Sequence, residues 1–330
     1  MGQLEERNKN TVRRFVQAMS ARGQPPALND LLAGRFRLFR RPFHHLESNA
    51  GAHDFADPVS SLRRAFADPI DAFDTIIAEG YRVAIRWRTS GVHRENLFGI
   101  APTGRKFSIW QAALFHLAEG KITEAWFMAE ELALLLDLGV GLPSHDNGRP
   151  YRPEAVIGRA APEALLDELR ARSLPSREDR NKIGLLDHKV ARLRLKAEDI
   201  AAFEANRTVR RKSSGGSRLI HEYGMGKGFA NQAPQAGIRD RLDHIDDLIG
   251  EGDLVFQRYT FSGNHTGNWY DIPPTGRLVG TSELSIERFD NGGTNVESWY
   301  FVDELGLVLQ MDAFDLLFEE RMRHAVSTSR

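Results

Sequence analysis

Two stretches of the chain, SGVHRENLFGIAPTGR (residues 90–105) and SGNHTGNWYDIPPTGR (residues 262–277), have nearly the same sequence. Nine of their sixteen positions are identical without a gap, at an offset of 172 residues. Solenoid repeats have periods of about 20–50 residues, so this longer offset indicates that a whole domain is duplicated. Each stretch ends in Pro-Thr-Gly-Arg, a turn in which proline presets φ and glycine supplies a positive φ.

The similarity continues on both sides of these stretches. IIAEGYRVAIRW (residues 76–87) aligns with LIGEGDLVFQRY (residues 248–259) at the same offset, and EAWFMAEELALLLDLG aligns with ESWYFVDELGLVLQMD after a one-residue insertion in the second copy. We therefore expect one domain over residues 1–140, a linker with a short helix over 141–178, and a second domain of the same fold over 179–330.

Composition restricts the classes of function. The 330 residues are enough for about two domains, and a formal net charge of −1 gives no general attraction to nucleic acid or to an anionic membrane. There is no cysteine, the N-terminal MGQLEERNKN has no apolar segment, and no apolar run approaches the ~18 residues of a membrane span. We expect a cytoplasmic protein with no nucleic acid or membrane partner. The scattered histidines predict neither a metal site nor a cofactor.

Each copy shows the same order of secondary-structure patterns. Apolar residues at helical spacing in NTVRRFVQAM are followed by a second helical segment, and alternation at Val83, Ile85 and Trp87 begins the first of three predicted antiparallel strands. A short apolar helix ends the copy. The remaining predictions are a helix over 56–66, a helix over 162–172, helical signal over 181–207, and a flexible loop at RRKSSGGSR (210–218).

The combination of SGxH, the Pro-Thr-Gly-Arg turn, a glycine turn, ExW and a leucine-rich end resembles the SnoaL-like polyketide cyclase family of the NTF2-like superfamily. The resemblance covers residues 7–139 well and 180–317 more loosely. It implies an α+β fold of two tandem cones, each a curved antiparallel sheet wrapped around helices, with a mostly apolar pocket for a small-molecule ligand. Relatives with one domain usually dimerise through the sheet. The tandem copies therefore suggest an internal pseudo-dimer, which could form a further homodimer, and the alternative is two independent domains.

The resemblance also implies a chemistry. These cyclases close a ring by an intramolecular aldol step without a metal or cofactor; an aspartate after the ExW tryptophan moves the proton, and a histidine on the preceding strand assists. This chain departs from that pattern, because Phe127 and Tyr300 occupy the aspartate position while Ala113 and Ser285 occupy the histidine position. We therefore expect the first domain to be structural or only to bind, and any chemistry to lie mainly in the second.

Several residues of the second domain are candidates for catalysis. His265 is either an acid or hydrogen-bond donor at the pocket rim or a histidine that caps the end of a strand beside the turn, as its counterpart His93 suggests. His221 is either a pocket or a loop histidine. Glu283 and Glu287 share strand parity with Ser285, so they are either interior carboxylates, one of them a general base, or side chains on the solvent face. Tyr300 could donate a hydrogen bond to a substrate or form a pocket wall, and Asp303 could cap the following helix. The expected pocket-lining residues are Tyr259, Phe261, Ser285 and Trp269 in the second domain and Trp87, His93, Phe127 and Ala113 in the first.

Three functions are compatible with these residues. The first is a cofactor-independent cyclase or isomerase that acts on an apolar, carbonyl-bearing small molecule. The second is a non-catalytic protein that kept the pocket and lost the base. The third is a hydrolase, because epoxide-hydrolysing relatives use the same cone with an Asp/Arg/Asp arrangement, although no such triad can be located in the sequence.

Overall fold

The chain forms two compact units, Met1–Tyr151 and Arg152–Arg330, in a computed structural model. Each unit has one five-stranded sheet, and the strand orders are β1-β5-β4-β3-β2 and β6-β10-β9-β8-β7. Because both sheets have the same order and the same pairing directions, the duplicated α+β fold predicted from the repeat is confirmed. The structure describes residues 2–20, 28–40, 43–47, 62, 64–141, 153–157, 162–196, 199, 202–203, 210–213, 237–269 and 272–316.

The first unit, called here the first cone, consists of a curled sheet and the helices that cover it. Strand β1 pairs parallel with β5, and the other neighbours are antiparallel. Its elements are α1 (Gln3–Ser20), α2 (Leu28–Leu31), β1 (Leu32–Arg40), α3 (His44–Glu47), β2 (Phe66–Glu79), β3 (Arg82–His93), β4 (Lys106–Ala118), β5 (Lys121–Ala129) and α4 (Glu131–Leu138).

The second unit, the second cone, repeats this plan. A short strand again pairs parallel with the last strand of the sheet. Its elements are α5 (Glu163–Arg170), α6 (Arg177–Leu193), β6 (Arg210–Ser213), β7 (Ile238–Glu251), β8 (Leu254–His265), β9 (Leu278–Phe289), β10 (Asn295–Val302) and α7 (Glu304–Met311). Helix α6 begins with a capping box in which Ser176 and Asp179 satisfy each other's backbone N–H groups.

The sheets have more strands than the sequence predicted. The prediction of a flexible loop at residues 210–218 is wrong for Arg210–Ser213, which form β6 and pair with β10. Strands β1 and β6 have no local hairpin partner, so only a contact distant in sequence stabilises them. The predicted helix over 56–66 lies largely outside the described residues, and β2 starts at Phe66.

Equivalent hydrogen bonds fix the long helix of each cone in the same register. Asn8 Nδ2 donates to Gly80 O at 3.1 Å, and Asn181 Nδ2 donates to Gly252 O at 3.3 Å. Both glycines sit in the hairpin turn before the central strands at φ of 61° and 62°. Val16 lies eight residues after Asn8, and Lys189 lies eight residues after Asn181, so Lys189 of α6 corresponds to Val16 of α1.

The interior of the first cone is filled by apolar side chains. Helix α1 contributes Val12, Phe15 and Val16, which pack on the inward-facing residues of β3, β4 and β5. Phe115 lies between two aromatic rings, with centroids 5.6 Å from Phe15 and 5.4 Å from Phe127, both edge-on. Phe127 is 1% exposed, so the position that holds a proton-moving aspartate in the family is part of a packed core.

Candidate functional site

The interior of the second cone carries oxygen groups that the first cone lacks. The matched positions follow from the strand pairing, since both sheets bring the same cross-strand pairs together on the face covered by the long helix. At four of them the second cone gains a hydroxyl or a carboxyl. Trp87, Gln111, Ala113 and Phe127 in the first cone correspond to Tyr259, Glu283, Ser285 and Tyr300 in the second.

Glu283 is a buried interior carboxyl that lies close to a buried arginine. It is 2% exposed, and its Oε2 lies 3.9 Å from Arg241 Nη2. Among the described residues no hydrogen-bond partner faces its Oε1. Burial raises the pKa of Glu283 above its ordinary value, and the attraction of Arg241 offsets only part of that effect. The prediction that Glu283 is an interior carboxylate is therefore confirmed, and the alternative that it lies on the solvent face is wrong.

A buried ion cluster lies beside Glu283. Asp243 of β7 accepts hydrogen bonds from Lys189 Nζ at 2.7 Å and from Arg241 Nε at 2.6 Å. Lys189 Nζ is 3.2 Å from the centroid of the Tyr259 ring, and the Arg241 guanidinium lies 3.9 Å from the centroid of Phe261. Two cations and two carboxyl groups therefore meet in the interior, which is more polar than the mostly apolar pocket implied by the resemblance.

The charged groups of this cluster shift one another's pKa values. Burial would raise the pKa of Asp243, but the adjacent Arg241 and Lys189 outweigh it and keep that pKa well below its usual range. Burial lowers the pKa of Lys189, with Asp243 opposing and Arg241 adding to the effect. On the same helix, burial and the nearby Arg241 lower the pKa of Arg192 to about 10. The two cations consequently keep Asp243 ionised, whereas burial favours the neutral form of Glu283.

The other interior groups of β8, β9 and β10 are tied to each other. Gln257 Nε2 donates to Ser285 Oγ at 2.9 Å. Glu287 is fully buried and accepts hydrogen bonds from Asn295 Nδ2 at 2.7 Å and from the Ser298 hydroxyl. Tyr300 is half-buried and faces Ser285 across the strand pair. Glu287 is thus interior as well, but it is hydrogen-bonded to residues at the start of β10, whereas Glu283 lies beside the ion cluster.

The two histidines of the repeated motif brace their turns. His265 Nδ1 lies 3.0 Å from Thr275 Oγ1, and His93 Nδ1 lies 3.2 Å from Thr103 Oγ1. Each backbone N–H donates across the loop, His265 to Arg277 O at 2.8 Å and His93 in the equivalent way at 2.9 Å. Burial lowers the pKa of both rings. This shared geometry explains why the same motif occurs in a cone with a polar interior and in one without.

The bracing geometry predicts a matched pair of effects on stability. His93→Ala and His265→Ala should each lower the free energy of unfolding by about 1–3 kcal/mol, because each removes a fully buried imidazole and its contact with the threonine of the turn. Urea denaturation followed by circular dichroism measures both. If His265→Ala instead keeps its stability and loses turnover, His265 acts on the substrate rather than on the turn.

The remaining candidates make structural contacts or lie outside the described residues. Asp303 is the N-cap of α7, accepting from Gly306 N–H at 3.0 Å and from the Thr281 hydroxyl at 3.0 Å, so the capping prediction is confirmed. Trp269 lies in the loop between β8 and β9, where it exchanges backbone hydrogen bonds with Ile272. His221 lies outside the described residues. The first-cone pocket residues Trp87, Ala113 and Phe127 belong to its packed core.

The capping contact supports a smaller prediction. Asp303→Ala should lower the free energy of unfolding by about 0.5–2 kcal/mol, because the first turn of α7 loses the side chain that accepts its backbone N–H. Thermal melting of the variant measures the effect. Glu130 is the matched residue in the first cone, and its side chain makes no capping hydrogen bond. Glu130→Ala should therefore not lower the free energy of unfolding through loss of a cap.

Sequence reasoning missed the cluster of Lys189, Arg241 and Asp243. Arg241 and Asp243 are two residues apart on β7, a spacing that puts both on one face of a strand. A comparison of the copies would have found the lysine, since α6 has Lys189 and Arg192 where α1 has Val16 and Met19. A charged residue that replaces an apolar one on the buried face of a duplicated helix is the signal.

In the part of the chain that the structure describes, no group of three or more histidine, aspartate or glutamate side chains is arranged to hold a metal ion. Among the described helices, none has the length and apolar character needed to cross a bilayer.

Comparisons with known proteins give one family. The family model described as SnoaL-like polyketide cyclase matches residues 10–138 and 231–311, which together are more than half of the chain. A search of curated protein sequences gave no match.

Several solved structures are similar to part of the chain. IdmH from Streptomyces antibioticus, provisionally described as a polyketide cyclase, is 22% identical with a TM-score of 0.35, over 40% of this chain and 99% of its own. AclR from Streptomyces galilaeus, provisionally described as a hydroxylase, is 21% identical with a TM-score of 0.35, over 41% and 97%. A protein from Jannaschia sp. CCS1, provisionally described as a SnoaL-like polyketide cyclase, is 20% identical with a TM-score of 0.36, over 42% and 95%.

Proposed function

The chain belongs to the SnoaL-like polyketide cyclase family, and from that premise we propose that it is a cofactor-independent cyclase or isomerase whose chemistry takes place in the second cone. The substrate class is an apolar small molecule with at least two carbonyl groups. The observation that carries the proposal is the buried Glu283, a carboxyl with a raised pKa in a cone whose duplicate has Gln111 at the same position.

Glu283 supplies what an aldol ring closure requires. Removing a proton from carbon beside a carbonyl needs a base within hydrogen-bond reach, and a raised pKa makes the carboxylate a stronger base. The Arg241 guanidinium, 3.9 Å from Glu283, lies where it can stabilise the negative charge of an enolate oxygen. The enolate carbon then attacks the second carbonyl, and the protonated Glu283 returns its proton to the new alkoxide. Glu283 thus both removes and returns the proton.

The first cone has no equivalent machinery. Its matched interior residues are Gln111, Ala113 and Phe127, none of which titrates, and the helix that covers them contributes Val16 in place of Lys189. We therefore assign the first cone a structural role.

We also propose that the two cones pack through their sheets as an internal pseudo-dimer. Small-angle scattering of the full chain that fits two separated bodies would reject this.

The proposal is tested with the full-length protein and a poly-β-ketone ester as substrate, with a chelator present throughout. We expect a cyclised product that is isomeric with the substrate or has lost water, detected by mass spectrometry. Tyr300→Phe, which installs the residue of the first cone, should slow its formation about 10²–10³-fold if the hydroxyl donates a hydrogen bond to the developing oxyanion of the substrate. Binding of the ester without any product would favour the non-catalytic alternative.

One observation favours a hydrolase as the second candidate. Arg241 lies between two carboxyl groups, with Nε 2.6 Å from Asp243 and Nη2 3.9 Å from Glu283, which is a carboxylate–arginine–carboxylate arrangement. In that reaction Glu283 as an acid would protonate an epoxide oxygen while water opens the ring and gives a proton to Asp243. The firm pairing of Asp243 with two cations makes it a weak base, which places this candidate second. Formation of a diol from an aryl epoxide, carrying ¹⁸O from labelled water, would establish it.

A further inference from the structure

We propose that Lys189 is an amine nucleophile, whose Nζ condenses with an aldehyde or ketone carbonyl held in the second cone to form a protonated imine. The inference goes beyond the proposed function and shares with it the location of the site and the carboxyl group of Glu283. It makes the second cone a site for covalent capture of carbonyl compounds.

The position of Lys189 is the first support. The residue lies on the buried face of α6 between Leu185, Leu186 and Val190, which pack on the sheet and fix the helix. Its side chain is 9% exposed, and its Nζ reaches over the Tyr259 ring toward the strands that carry Glu283. The amine is therefore directed to the same part of the interior as the candidate acid.

The matched position in the first cone is the second support. Burying a lysine costs several kcal/mol unless it is paired, and the duplicate helix satisfies the same packing with Val16. The second cone also supplies Asp243 as the partner, so the lysine has been accommodated together with a counter-ion. Packing alone does not explain that change.

The electrostatic surroundings agree with a nucleophilic role. A lysine that is desolvated and next to another cation is a better nucleophile at neutral pH, because more of it is unprotonated. Arg241 is that cation, and burial acts in the same direction on the pKa of Lys189. Asp243 opposes both, Tyr259 attracts the ammonium through its ring, and Glu283 attracts it through charge.

The chemistry balances with groups of the cluster. The Nζ lone pair attacks the carbonyl carbon while the Glu283 carboxyl protonates the oxygen, and the Glu283 carboxylate then accepts the proton that the nitrogen loses. Glu283 returns this proton to the hydroxyl, which leaves as water, and the nitrogen lone pair completes the C=N bond of the protonated imine. Asp243 stays ionised throughout as the counter-ion. Glu283 remains as a carboxylate beside the carbon next to the imine, where it can remove a proton to give an enamine.

The test traps the imine on the full-length protein. Benzoylacetone is added with sodium cyanoborohydride, the intact mass is measured, and the modified lysine is located by peptide mapping. We expect reductive alkylation at Lys189. The adduct should be lost in Lys189→Arg, which keeps a cation beside Asp243, and retained in Lys182→Arg, which removes another buried lysine from the same helix.

The outcomes separate this inference from the proposed function. Peptide mapping of the parent protein that finds no modification at Lys189, or a Lys189→Arg protein labelled as strongly as the parent, overturns the inference. The mapping result stands even if Lys189→Arg does not fold. If folded Lys189→Arg still cyclises the ester, the proposed function stands and does not need the imine. If Lys189 is trapped but no tested ester is cyclised, the imine site stands without the proposed function.

Discussion

The Glu283→Gln protein is expected to form the cyclised product about 10²–10⁴ times more slowly than the parent protein, because glutamine can neither accept nor return the proton. The change preserves shape, and it installs the residue that the first cone has at Gln111. The fold should therefore persist, since the buried carboxyl is replaced by a neutral group of the same size. Initial rates with the poly-β-ketone ester at saturating concentration measure the effect on kcat.

His93→Ala is the control, because His93 braces a turn in the first cone. It should change kcat little in protein that remains folded. If His93→Ala abolishes product formation while Glu283→Gln leaves it unchanged, the chemistry has been assigned to the wrong cone. If both variants keep full activity, the proton passes through a different group.

The second large effect concerns stability. Asp243→Asn should lower the free energy of unfolding by about 3–5 kcal/mol, because it leaves Lys189 and Arg241 buried without a carboxylate to pair with. Asp243 is fully enclosed and bonded to both cations, so water cannot take over its role. Urea denaturation followed by circular dichroism gives the value, provided that transitions of the two units are fitted separately.

Asp71→Asn is the matched control, since Asp71 occupies the same place on β2 as Asp243 on β7. Asp71 is partly exposed and accepts a hydrogen bond from the Thr89 hydroxyl. Its replacement should change stability by less than about 1 kcal/mol. Equal losses in the two variants would show that the buried cluster contributes nothing beyond an ordinary hydrogen bond.

The repeat made much of the fold predictable. Identical residues around the Pro-Thr-Gly-Arg turn have the same role in both copies, since His93 and His265 contact the threonine of their own turn. The family positions at Phe127 and Tyr300 also lie where the alignment puts them, facing Ala113 and Ser285 across the strand pair. Local turn chemistry and side-chain alternation determine these features, and both are visible in one sequence.

The edge strands and the ion cluster depend on contacts that a linear pattern does not contain. Arg210–Ser213 is a charged tetrapeptide next to a serine- and glycine-rich segment, and it becomes a strand only because β10 offers an unpaired edge. Lys189 meets Arg241 and Asp243 from 52 or more residues away in the chain. Each of the three is ordinary in its own segment, so only the folded interior reveals the cluster.

The number of ligands bound per chain tests the central claim, that the second cone alone takes a small molecule. Isothermal titration of the full-length protein with benzoylacetone, without reductant, gives this number. We expect one saturable site per chain, lost in Ser285→Leu, which places a larger apolar side chain inside the second cone, and retained in His93→Ala. Two equivalent sites per chain, or a single site that survives Ser285→Leu and disappears in His93→Ala, would contradict it.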